Sequence, residues 1–124
     1  MKFRKTSPAA QRFADRRQRE DDAPRLRDEV PDLVSLLLDV HEEGGSAKPR
    51  YLRRIVVETA PALFFLPCGD PRCLDGGHDV TGTVMRAIRS RARAFHGTDD
   101  CYGSVGSTTC GRVLHFDATA EYRG

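Results

Sequence analysis

The chain has no tryptophan, and only six Phe and three Tyr supply its aromatic residues. A core built from this material is modest, and a small domain of this kind gains from a staple that does not depend on apolar area. No apolar run approaches the ~20 residues a membrane helix needs, so no membrane association is expected. Met1-Lys2-Phe3-Arg4-Lys5 has the charge of a secretory n-region, but Thr6-Ser7-Pro8-Ala9-Ala10-Gln11-Arg12 follows where an apolar stretch belongs. The expected compartment is the cytoplasm, where thiols stay reduced.

Catalytic signatures are missing too. There is no H-E-x-x-H, G-x-S-x-G or P-loop. C-x-x-C is absent, which argues against a thioredoxin-type dithiol, as is the H-x-E…P-C-x-x-C spacing of zinc deaminases. Gly103-Ser104-Val105-Gly106 is glycine-bearing, but no helix follows to make it a phosphate loop. An open-sided zinc on two cysteines, His78 and a carboxylate such as Asp70, Asp75 or Asp79 is the one catalytic arrangement that can be drawn. Nothing else in the sequence calls for it, and the expectation is a protein that is not an enzyme.

The 124 residues suit one domain, with 39% hydrophobic and 31% charged residues. The formal net charge of +2 is unevenly placed. Residues 1–25 carry eight cationic side chains, among them Arg12, Arg16 and Arg17, against four anionic ones. Residues 1–27 therefore read as a flexible basic arm, disordered or transiently helical near Phe13 to Gln18, and residues 28–124 as a single α+β domain.

Within that domain the periodicities suggest five elements. A helix is expected over residues 28–43: Pro31 suits a first helical position, Leu33, Val34, Leu37, Leu38 and Val40 or His41 recur at near-helical spacing, and Gly44-Gly45 would end it. His41 and Glu42-Glu43 then fall on a solvated last turn. After Lys48-Pro49, Tyr51 to Glu58 contains β-branched Ile55, Val56 and Val57 and reads as a strand. Pro61 interrupts it before a second short run, Ala62 to Leu66. A helix over residues 79–96 is expected from the stripe Val80, Val84, Ile88, Ala92 and Phe95, with Asp79 as N-cap and His96-Gly97 as stop. Residues 112–122 alternate strictly, with Leu114, Phe116, Ala118, Ala120 and Tyr122 on one face, and read as the last strand. The expected architecture is a small, mainly antiparallel sheet with the second helix packed across it and one additional N-terminal helix.

The chemistry lies in four cysteines. Four residues separate Cys68 from Cys73, eight separate Cys101 from Cys110, and the second expected helix lies between the pairs. Each pair occupies a glycine-containing loop, which lets the backbone curl so that two sulfurs face one centre. Four thiolates at roughly 2.3 Å from one ion make a structural zinc site. A helix of about 17 residues spans roughly 25 Å, so the loops must return the second pair to the first. Cys68, Cys73, Cys101 and Cys110 are the expected ligands, with His78 as an alternate ligand in place of one cysteine. His96 and His115 have weaker claims.

Phe64-Phe65-Leu66-Pro67-Cys68, with a helix after Cys73, resembles the thioredoxin-like two-iron ferredoxins, which place one cysteine pair after a strand and a second beyond a helix. The second pair departs from that pattern, with eight intervening residues in place of three, and no strand is evident between helix and second pair. The resemblance implies an Fe–S cluster and electron transfer as the alternative to zinc, and the four thiols put a thiol redox protein within the same alternative.

Arg86, Arg89 and Arg93, at i, i+3 and i+7, share a face of the second expected helix. With Arg12, Arg16 and Arg17 they are the expected contacts to phosphate, because a guanidinium fork donates two hydrogen bonds to it. Nucleic acid or a protein partner bound through the basic arm is the expected interaction. A pI near 8.5 and aromatics committed to the core count against an extensive nucleic-acid surface.

Overall fold

A computed structural model of the chain describes residues 8–43, 51–69, 72–73 and 76–124. Lys2, Arg4, Lys5, Gly44-Gly45, Lys48-Pro49, Asp70 and Asp75 lie outside these described residues.

The longest strand is β1 (Leu33–Glu43), and it overturns the helix expected over 28–43. Leucine-rich Leu33 to Val40 satisfies two periodicities at once. The helical reading used Leu33, Val34, Leu37 and Leu38, whereas the chain buries Leu36, Leu38, Val40 and Glu42 in strict alternation. Tertiary pairing decides between them. β1 is flanked on both sides, by β2 (Tyr51–Ile55) and β8 (Val113–Tyr122), so its backbone polar groups are satisfied in ladders rather than within a helix. Pro31, expected at a first helical position, stands instead in the turn that leads into the strand.

The sheet runs β2-β1-β8-β5, where β5 is Ala94–Asp100, and every pairing in it is antiparallel. The alternation read in residues 112–122 is therefore observed in β8. Leu114, Phe116, Ala118 and Ala120 are buried, while Asp117, Thr119 and Glu121 are exposed. Two short pairs complete the strands: β3 (Phe65–Leu66) with β4 (His78–Asp79), and β6 (Ser104–Val105) with β7 (Thr108–Thr109).

Three helices occur among the described residues: α1 (Pro8–Asp22), α2 (Leu26–Glu29) and α3 (Thr81–Arg89). Of the residues expected as a flexible arm, Leu26 is fully buried, and its amide donates to Ala60 O at 2.9 Å while Ala62 N donates to Pro24 O at 2.7 Å. The folded body thus begins before residue 28. α3 is half the helix expected over 79–96. Val80, Val84 and Ile88 are buried as the stripe requires, and Asp79 Oδ1 accepts the Thr81 amide at 3.1 Å from just ahead of the helix. The helix then stops at Ser90, whose hydroxyl donates to Ala87 O (2.9 Å). Arg91 follows with φ +59°, a left-handed conformation that ends a helix at a residue other than glycine. Both nitrogens of its guanidinium fork hold Asp32, at 2.7 and 3.0 Å. Ala92 and Phe95 leave the helix, and Phe95 packs edge-on against Phe116 from β5.

One core joins these parts. Leu36, Leu38 and Val40 of β1 and Leu114, Phe116, Ala118 and Ala120 of β8 meet Val84, Met85 and Ile88 of α3, with Leu26 and Val30 at one end. Fully burying each large apolar side chain is worth ~1.5–3 kcal/mol, and this cluster is the fold's main support. Its far end, where β1, β5 and β8 approach the short strand pairs, carries polar side chains instead, and the cysteines gather there.

Candidate metal centre

Cys68 follows β3 and Cys73 lies in the loop leading to β4. Cys101 directly follows β5, and Cys110 directly follows β7. β6 and β7 form a hairpin whose two-residue turn begins at Gly106, φ +63°, a conformation glycine adopts without a Cβ clash. The hairpin base is tied by Cys110 N donating to Gly103 O (2.8 Å) and Cys101 N donating to Arg112 O (2.9 Å). These bonds set Cys101 and Cys110 side by side facing the β3–β4 loop.

The structure brings all four expected cysteine ligands together. Cys73 Sγ is 3.6 Å from Cys101 Sγ, Cys68 Sγ is 3.7 Å from Cys110 Sγ, and all four sulfurs lie within 4.8 Å of one another. Sulfurs at 2.3 Å from one ion at the corners of a tetrahedron stand ~3.8 Å apart, so the thiols fit a metal ion. Gly76 makes room for them. A Cβ at that position would fall on Cys73 Sγ and come within 2.7 Å of Cys101 Sγ.

The thiols are not electrostatically equivalent. Burial pushes Cys73 up, and hydrogen bonds with Cys101, Cys110 and Cys68 add to the rise. Burial would also raise Cys101, but the amides of Gly103 and Gly77, with the thiols of Cys73 and Cys68, outweigh it and the net shift is downward. The Gly103 amide donates to Cys101 Sγ at 3.4 Å. Backbone donors of this kind favour a thiolate.

Behind the thiols sits a buried polar group that sequence reading missed. Glu42 Oε1 accepts the Gly69 amide at 2.8 Å. Its other oxygen lies 3.9 Å from Cys68 Sγ, 3.7 Å from His78 Nε2 and 3.9 Å from Arg112 Nη1. Arg112 and His78 are 2% and 0% exposed. His78 Nδ1 is 3.2 Å from Asp99 Oδ2, and burial raises Asp99 against the opposing pull of that hydrogen bond. Partners that orient ligands from behind matter to metal sites nearly as much as the ligands themselves. Glu42 was expected to be solvated because β1 was read as a helix. The signal for it was present in the alternation Leu36, Leu38, Val40, Glu42, and Arg112 likewise continues the inward series of β8.

His78, the alternate ligand, stands next to this group, and the four-sulfur cluster does not include it. Asp79, drawn into the catalytic alternative and expected as the N-cap, accepts the Thr81 amide from one residue ahead of Val80, which is the N-cap of α3. The strand missing from the ferredoxin-like pattern is present as β5, immediately before Cys101.

The arginines are dispersed. Arg16 lies on α1 with its guanidinium carbon 4.2 Å from the Phe65 ring centre, a cation–π contact just ahead of Cys68. Arg12 and Arg17 are also on α1, and Arg17 is exposed. Arg86 and Arg89 do share α3, but Arg93 lies beyond its end, so the expected three-arginine helix face is corrected to two. Arg89 pairs with Glu29 at 3.3 Å, and Arg86 and Arg93 are exposed.

Comparison with known proteins finds no matching family, no matching curated protein and no matching solved structure. The site's chemistry is therefore read from its own residues. No helix among the described residues is long and apolar enough to cross a membrane.

Proposed function

We propose that the four cysteines hold a single zinc ion as the structural centre of a cytoplasmic, non-catalytic binding module. The observation that carries this reading is the mutual closeness of Cys68, Cys73, Cys101 and Cys110, all four sulfurs lying within 4.8 Å of one another. That closeness favours one ion over a two-iron cluster, whose thiolates are divided between two metals and so spread apart. Four thiolates around one tetrahedral ion leave no open coordination position, which favours a structural over a catalytic role. The zinc would supply cross-linking of the β3–β4 loop to the β6–β7 hairpin, a contribution a modest core needs.

The binding surface in this reading uses Arg12 and Arg17 of α1 with Arg86 and Arg93, and its partner is anionic, nucleic acid before acidic protein. Support comes from exposed Arg17, Arg86 and Arg93, while Arg16 and Arg89 are committed within the fold. Phosphate contacts make affinity fall steeply with salt.

Two measurements test the proposal. Mass spectrometry of native protein purified without added metal is expected to give one zinc per chain. Iron with sulfide and a visible chromophore would move the Fe–S electron carrier ahead, and no metal would remove the reading. Binding of a short DNA or RNA duplex is expected to weaken at least about tenfold between 50 and 200 mM salt if only a few phosphates are contacted. Absence of binding at low salt would leave the zinc centre standing and remove nucleic acid as the partner.

A further inference from the structure

The side of the sheet opposite the core carries a second cluster of metal-binding groups. His41 of β1 and His115 of β8 are direct cross-strand partners, and their rings stack with centroids 5.0 Å apart and planes 13° from parallel. Glu43 lies two residues beyond His41, hence on the same face, and its Oε2 is 3.3 Å from His115 Nε2. One nitrogen of each ring and one carboxylate oxygen all lie within 4.8 Å of one another. Nitrogens bound to one ion at 2.0–2.1 Å stand ~3.4 Å apart at a tetrahedral angle. The rings stand nearly parallel, so binding one ion would turn them out of their stack to bring one in-plane nitrogen of each toward it.

Two further observations separate this cluster from ordinary surface polarity. His41 Nδ1 is shielded from solvent and makes no hydrogen bond among the described residues, and the shielded His115 Nε2 has only the 3.3 Å contact with Glu43. A buried polar atom without a partner costs stability unless something supplies one. The same face carries two further carboxylates, with Arg54 and His96 also on it by register. Asp39 and Asp117 face each other one step further along the same two strands, two residues from His41 and His115 respectively. A cation bound through one in-plane nitrogen of each ring and the Glu43 carboxylate would give His41 Nδ1 the partner it lacks.

Residues 41 to 43 thus divide their work by alternation. Glu42 points inward to Gly69 and the thiols, while His41 and Glu43 point outward. The two clusters are on opposite sides of one sheet, share no ligand, and differ in chemistry. Two imidazoles and a carboxylate suit borderline first-row ions, not Mg or Ca, which prefer all-oxygen sites.

We propose that His41, His115 and Glu43 form a second, solvent-facing site for a divalent first-row metal ion, with coordination positions left open to water or to a donor from a partner. It is independent of the thiolate centre, and the reading of that centre as zinc is not needed for it.

The test uses the full chain, carrying whatever metal it retains after excess is removed by gel filtration, titrated with Co2+. One further equivalent is expected, with the weak visible bands of nitrogen- and oxygen-bound Co2+ and without a thiolate charge-transfer band. His115→Asn is expected to abolish these bands. Glu43→Gln, at a side chain 67% exposed and so safe for folding, is expected to weaken Co2+ binding at least about tenfold. Neither variant should change the metal retained at the cysteines. Cys68→Ser with Cys73→Ser should leave the weak bands in place. Three results overturn the proposal: no additional Co2+ bound, bands unaffected in both variants, or spectra showing thiolate coordination alone.

Discussion

Glu42 accepts the Gly69 amide at 2.8 Å, a bond between residues 27 apart that joins the central strand to the first cysteine loop. The other carboxylate oxygen faces Cys68, His78 and Arg112 at 3.7 to 3.9 Å. Glu42 is buried, and truncating it takes a partner from the Gly69 amide and the nearby carboxylate from His78 and Arg112. Glu42→Ala should therefore cost about 3–5 kcal/mol of stability. The isosteric Glu42→Gln should keep the fold and lower metal affinity by about 10- to 100-fold. Chemical denaturation and competition with a chelator measure the two effects separately.

Gly76→Ala tests the space between the thiols. Its Cβ has nowhere to go but onto Cys73 Sγ and against Cys101 Sγ. Overpacking of this kind costs about 1–3 kcal/mol, equal to about a five- to 150-fold loss of metal affinity. The metal-free protein, whose thiols can move apart, should melt close to the native sequence. Equal metal affinity in the two proteins would show that position 76 does not border the centre.

Stripped of metal and exposed to hydrogen peroxide, the protein should form disulfides between Cys68 and Cys110 and between Cys73 and Cys101. These pairs are 3.7 and 3.6 Å apart at sulfur. Each bond would use one peroxide and release two waters. Peptide mapping of the oxidised protein distinguishes this from pairing within each loop, Cys68 with Cys73 and Cys101 with Cys110.

Two leucines on neighbouring strands should behave oppositely. Leu38 is fully buried at the middle of β1, whereas Leu52 on edge strand β2 is 66% exposed. Leu38→Ala should cost about 2–5 kcal/mol. Leu52→Ala should stay within about 0.5 kcal/mol of the native value.

Much of the site was legible because its signal is chemical: four cysteines in two glycine-bearing loops need only be counted and paired. β8 was legible because ten residues alternate without a break. β1 was not, since Leu33 to Val40 fits helical and strand periods alike and only its two neighbours settle the choice. That one misreading also hid Glu42 and the orientation of His41 and Glu43. β5 was concealed by the stripe of α3, which Ala92 and Phe95 extend by coincidence of spacing. The true stop, Arg91 at positive φ, is fixed by Asp32, 59 residues away, and no local rule could mark it. The antiparallel sheet follows from the same long-range pairings.

The sheet places its first and last strands at its centre, β1 beside β8, with Leu33 opposite Tyr122. During synthesis the apolar strand β1 therefore leaves the ribosome long before its main partner exists. The sheet cannot close until β8 has emerged, so its folding is dominated by distant contacts, which makes it slow. In the interval Leu33 to Val40 is an unpaired strand edge, and holdase chaperones that capture such segments should decide how much of the protein reaches its native state.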